Sequence, residues 1–117
     1  MLALSVIYED NHILVVNKTT GLLVQGDKTG DKSLLDLAKK YIKDKYQKPG
    51  EVFLGLVHRL DRPTTGVIVL ARTSKALSRL SQQFKERIPK KKYRAVVSGT
   101  PEPKATLEHY LRKNPSK

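Results

Sequence analysis

The 117-residue chain reads as an α/β or α+β domain, because apolar strand-like blocks alternate along it with amphipathic helical stretches. Three observations predict this. The runs Ile13-Leu14-Val15-Val16-Asn17 and Val67-Ile68-Val69-Leu70-Ala71 are short, apolar and rich in β-branched residues. From Ser33 onward apolar residues recur at helical spacing. A second stripe of the same kind follows Thr73.

In chain order, Val6-Ile7-Tyr8 and Ile13 to Asn17 are expected to be strands, with Glu9-Asp10-Asn11-His12 as the polar turn between them. Gly21 breaks the chain before a third apolar stretch, Leu22-Leu23-Val24, and a polar loop runs from Gly26 to Lys32. The first helix is expected from Ser33 to Tyr46. Leu34, Leu35, Leu37, Ala38, Tyr41 and Ile42 form its buried stripe, Ser33 its N-cap, and lysines its outer face. Pro49-Gly50 ends it. After a mostly apolar run from Val52 to Leu60 comes a turn-rich loop, Asp61 to Gly66, and then the strand Val67 to Ala71. A second helix is expected from Ser74 to Arg87, capped by Thr73 or Ser74, with Ala76, Leu77, Leu80, Phe84 and Ile88 inside and Pro89 as its stop. Tyr93 to Val97 reads as another strand and Ala105 to Leu111 as a last one.

Composition narrows the function. A chain of this length holds one domain, and a hydrophobic fraction of 38% with mean hydropathy −0.45 suits a soluble fold. No apolar run approaches the roughly 20 residues that span a bilayer, and the first residues lack the pattern of a signal peptide. No membrane association is expected. There is no cysteine, and His12, His58 and His109 stand far apart, so neither a disulfide framework nor a metal site is expected. The absence of cysteine agrees with a cytoplasmic location. Lys and Arg number 23 against 11 acids, a net charge of +12. A field of that sign concentrates polyanions, and phosphate backbones are the commonest of these.

The residue best placed for chemistry is Asp61, where the apolar approach meets the loop holding Pro63 and Gly66. At neutral pH an aspartate is an anion, a nucleophile or a base. With His58, Arg59 and Arg62 beside it, it reads more readily, on these residues alone, as half of a structural ion pair.

The run His58-Arg59-Leu60-Asp61-Arg62-Pro63-Thr64-Thr65-Gly66, with the strand Val67 to Ala71 and Arg72-Thr73 after it, resembles the catalytic motif of the RluA-type pseudouridine synthases. Val6 to Asp10 through Asn17-Lys18 and Gly21-Leu22 resembles that family's opening strand pair. Lys92-Tyr93-Arg94-Ala95-Val96-Val97-Ser98-Gly99 resembles a later strand of it. The likeness runs in order from about Val6 to Leu111.

The resemblance implies an α+β fold with a mixed, largely antiparallel sheet flanked by helices, here incomplete. It implies isomerisation of uridine to pseudouridine in structured RNA, rRNA or tRNA, with no cofactor and no metal. Asp61 takes the place of the catalytic aspartate, which attacks C1′ or removes a ribose proton. Arg59 takes that of the arginine filling the space left by the extruded base, with plain phosphate contact as the alternative. Tyr93 takes that of the tyrosine whose ring lies against the target base, with an ordinary strand aromatic as the alternative. Thr65 stands where the family usually has Ser, and Thr19 where it usually has Pro. A later basic motif of the family has no counterpart after Leu111. Residues 1–117 are therefore expected to be the N-terminal portion of a catalytic domain, without a separate RNA-binding domain. Such a portion is expected to have impaired activity and to self-associate through uncovered surface. The competing reading is a non-catalytic basic RNA-binding protein. A hydrolytic or phosphoryl-transfer role for His58 and Asp61 lacks both a phosphate-cradling glycine loop and a metal cluster.

Overall fold

The structure, a computed structural model, describes residues 4–106. Its elements are β1 (Ser5–Glu9), β2 (Ile13–Lys18), α1 (Leu34–Tyr46), β3 (Gly55–Leu56), β4 (Gly66–Ala71) and α2 (Ser74–Lys85). The four strands form one sheet in the order β1-β2-β4-β3, and every neighbouring pair is antiparallel. The largely antiparallel α+β architecture is the one the resemblance implied. The expected last strand from Ala105 lies almost wholly outside the described residues.

Local chemistry explains the elements. The β1–β2 turn closes because the Asp10 carboxylate accepts from the backbone N–H groups of His12 and Ile13. Helix α1 starts at a capping box. The Ser33 hydroxyl accepts from the Asp36 N–H, and the Asp36 carboxylate accepts from the Ser33 N–H. The carbonyls of Leu23 and Val24 take the next N–H groups, those of Leu34 and Leu35. These bonds fasten the third apolar stretch, which is not a strand, to the helix. Thr73 caps α2 through the Ala76 N–H.

Period-two alternation places Leu14 and Val16 of β2, with Ile68 and Leu70 of β4, on one face of the sheet. They share a core with Leu34, Ala38 and Ile42, the i, i+4, i+8 stripe of α1. Val67 and Val69 point the other way, toward the side on which α2 brings Phe84 and His58 together. Helix α2 approaches so closely that a Cβ on Gly55 would lie 2.7 Å from a methyl of Leu77.

Two sequence expectations are corrected. Helix α2 ends at Lys85, before Pro89 can stop it. Arg87 turns into the left-handed region at φ 58°, its N–H returning to the Phe84 carbonyl and that of Ile88 to Gln83. Ile88 leaves the helix stripe and is exposed. Tyr93 to Val97 is not a strand: the segment is irregular, with Val96 and Val97 in solvent. Its β-favouring residues need a neighbouring edge to form a ladder, and among the described residues no strand pairs with it.

Candidate active site

The Asp61 loop connects β3 to β4 and is held from below by Lys18. Residues 14, 16 and 18 share the inward face of β2, so Lys18 enters the protein and is fully buried. Its register partner is Gly66, where the loop ends. The ammonium group therefore lies under the loop and donates to three carbonyls: Thr64 at 2.7 Å, Arg62 at 2.8 Å and Thr19 at 3.1 Å. Three acceptors match the three protons of the charged form. Burial lowers the pKa of Lys18, the Arg62 charge lowers it further, and the Asp61 carboxylate works in the opposite direction.

The segment after β2 completes a clamp. The Thr20 hydroxyl donates to the Pro63 carbonyl at 2.8 Å. Gly21, at φ 83°, donates its N–H to the Arg62 carbonyl at 2.9 Å. Arg62 returns Nε to the Gly21 carbonyl and reaches Asp31 at 2.7 Å. Within the loop, the Thr64 N–H closes a turn on the Asp61 carbonyl. The peptide positions that follow Asp61 are thus held by groups more than 40 residues away in sequence.

The two readings of Asp61 differ in the partner they require. Arg62 spends its guanidinium on Asp31 and Gly21. Among the described residues the Asp61 carboxylate makes no hydrogen bond and no ion pair. It is exposed, as is Arg59 two positions earlier. The structural ion pair of the loop is Arg62–Asp31, which leaves the Asp61 carboxylate available to something else.

His58 is tied down. Its Nε2 accepts from the Val69 N–H at 3.0 Å, and its ring stacks on Phe84 at 4.9 Å and 18°. Burial and then the charge of Lys91 lower its pKa.

Beside the loop lies an open cleft of about 760 Å³ between β4, α2 and the basic segment 89–94. Leu60, Thr64 and Thr65 line one side, Phe84 another, and Tyr93 with Lys90, Lys91 and Lys92 a third. Tyr93 therefore reaches the cleft that borders the Asp61 loop. Asp61 and Arg59 are not among the residues that line it, and among the described residues no hydrogen bond joins Tyr93 to either. Sequence reasoning named Lys18 only within the opening strand pair and His58 only as a neighbour of Asp61, and missed that each holds the loop. For Lys18 a signal existed in the alternation Leu14, Val16, Lys18. For His58, an acceptor for a backbone group eleven residues on, there was none.

The family model for RNA pseudouridylate synthase matches residues 12–117. The chain is 43% identical over 97 residues to the dual-specificity RNA pseudouridine synthase RluA of Haemophilus influenzae, covering 82% of this chain and 41% of that protein. It is 38% identical over 95 residues to ribosomal large subunit pseudouridine synthase C of Buchnera aphidicola subsp. Schizaphis graminum, covering 81% of this chain and 28% of that protein. Among solved structures it is similar to human RNA pseudouridylate synthase domain containing 4, with TM-score 0.60 and 31% identity over 72% of this chain and 30% of that one. The chain belongs to the RNA pseudouridylate synthase family. Within that family it is of the RluA type. It spans less than half the length of these curated relatives.

Proposed function

We propose that this chain forms the N-terminal part of the catalytic domain of an RNA pseudouridine synthase, acting on uridines of structured rRNA or tRNA in the cytoplasm. Asp61 is its catalytic carboxylate. The observation that carries the reading is the exposed Asp61 carboxylate, without a protein partner among the described residues, on a loop whose backbone is clamped through Lys18, Thr20 and Arg62. A rigidly placed anion is what attack at C1′, or removal of a ribose proton, requires. The reaction breaks the N1–C1′ bond and remakes it through C5. It adds and removes no atoms, so carboxylate chemistry is sufficient and no cofactor enters the proposal.

Arg59, exposed two residues before Asp61, fills the stack vacated by the extruded uridine, and Tyr93 in the neighbouring cleft supports the base. Extrusion from a stem costs a few kcal/mol. Lys90, Lys91 and Lys92 line the same cleft and meet the phosphates.

The test is a chimera in which this chain replaces the matching residues of the Haemophilus influenzae relative. It is assayed by release of tritium from C5-labelled uridine in RNA. Asp61→Asn keeps shape and removes charge; it abolishes release while RNA affinity stays within about twofold. Arg59→Ala slows turnover on stems more than on single strands. Wild-type release by Asp61→Asn removes Asp61 from the mechanism. An Asp61-intact chimera that binds RNA without turning it over supports the non-catalytic reading.

A further inference from the structure

Strand β3 is only two residues long: Gly55 pairs with Ala71, and Leu56 with Leu70. The next rung would join Val57 to Val69, but the backbone bends away there. The Val69 N–H, left without a strand acceptor on that side, is taken by Nε2 of His58 at 3.0 Å. The imidazole thus replaces one backbone carbonyl of the ladder. An accepting Nε2 requires a neutral ring with its proton on Nδ1. The same ring lies flat on Phe84 of α2. One side chain therefore joins the end of β3, the middle of β4 and helix α2, and the next residue in the chain is Arg59.

We propose that neutral His58 is a positioning residue for the reaction: by completing the β4 ladder through Nε2, it sets the angle at which Arg59 and Asp61 leave the sheet, and protonation of the ring releases them. This rests on the function proposed above. An imidazolium has no acceptor. Its Nε2–H would face the Val69 N–H donor to donor, and the ring would have to swing away from Val69.

The surroundings favour the neutral ring. Phe84 from α2 and Val69 from β4 are uncharged, and both lie against a half-buried ring. Lys91, whose Nζ is 5.5 Å from the Phe84 ring centroid, adds a positive charge that opposes protonation. Arg59 and Asp61 follow in the loop itself, both exposed to solvent. A histidine held below its ordinary value costs stability as pH falls below about 6.5, because the unfolded chain takes up the proton first. The loss is complete once the pH has passed through the lowered folded-state value. The loop is accordingly held firmly at neutral pH and loosens with acid.

Three forms of the protein separate this role from a merely structural one. The wild type is compared with His58→Gln, whose amide oxygen reaches the Nε2 position at every pH, and with His58→Phe, which keeps the stack and has no acceptor. In the chain itself, nitrogen NMR reads the imidazole tautomer and the Val69 amide across about pH 5 to 8. The expected result is the Nδ1–H tautomer at neutral pH and a Val69 amide resonance that titrates together with the ring. In the chimera, single-turnover tritium release should fall with acid in the wild type and stay level over that range in His58→Gln. His58→Phe should lose at least about tenfold in kcat with little change in KM. An Nε2–H tautomer, a Val69 amide indifferent to the titration, or an unchanged acid limb in His58→Gln would overturn the proposal. If no form turns RNA over, the functional reading has failed and this proposal fails with it as a statement about reaction. The NMR result then shows separately whether the His58–Val69 contact exists.

Discussion

Replacing Lys18 by Met removes the ammonium group and keeps the apolar stem, so the substitution isolates the clamp beneath the Asp61 loop. Two of the three hydrogen bonds lost, at 2.7 and 2.8 Å, have the length of charge-assisted bonds. Each such bond contributes about 1.5–3 kcal/mol when one partner is deleted. The sum is not realised in full. Arg62 and Thr19 are exposed residues whose carbonyls can turn to water, and deletion also relieves the cost of keeping a desolvated ammonium. The net loss is about 2–4 kcal/mol. With a urea slope of about 2 kcal/mol per molar, the unfolding midpoint should fall by about 1–2 M at an unchanged slope. Limited proteolysis supplies the local readout: cleavage between residues 57 and 66 should accelerate more than cleavage elsewhere. A loss within about 0.5 kcal/mol, the range of a surface substitution, would refute the reasoning. So would a large global loss with no preferential opening of the loop.

Glu9, bonded to helix α1 at the other end of β2 from Lys18, provides a pH test. Partial burial alone would raise its carboxyl, but donation from Lys45, Tyr41 and Tyr46 outweighs this and holds it at about 2. The resulting stability, about 1–2 kcal/mol after solvent screening, is complete above about pH 4.5 and disappears as pH falls through about 2. In thermal unfolding scans Glu9→Gln should be less stable at neutral pH and should lose less stability than the wild type across that window, where Asp10 and Asp27 still titrate in both; a parallel acid dependence in both proteins would exclude the cluster as the cause. RNA affinity should fall steeply with salt, and each phosphate-bound lysine removed at Lys90, Lys91 or Lys92 should lower the log–log slope by about 0.7 on single strands; flat binding between low and moderate salt contradicts the electrostatic account. The exposed apolar side chains of Ile88, Tyr93, Val96 and Val97 are expected to drive self-association. Sedimentation should show dimers that Val96→Lys dissociates, and a wild-type monomer at every concentration would rule this out.

Sequence alone determined whatever depends on neighbours a few residues apart. The stripe Leu34, Ala38, Ile42 and the Ser33–Asp36 box specify α1, because helical side chains three and four positions apart share a face and a cap acts within one turn. β2 and β4 announce themselves by apolar, β-branched composition, and the Asp10 turn by its short carboxylate. The motif around Asp61 likewise marked the loop proposed to carry the chemistry. Tertiary structure alone decided how that loop is held. Lys18 finds its acceptors at Arg62 and Thr64, 44 and 46 residues away, because β2 and β4 pair in one register. Arg62 turns to Asp31 instead of the adjacent Asp61, and His58 stands in for a strand that ends early. The stretch Tyr93 to Val97 carries strand composition without a strand, since a ladder is a property of two segments and composition describes only one. Side-chain type and period are local; the partner that satisfies a buried ammonium, an orphaned N–H or a strand edge is chosen only when distant parts of the chain meet.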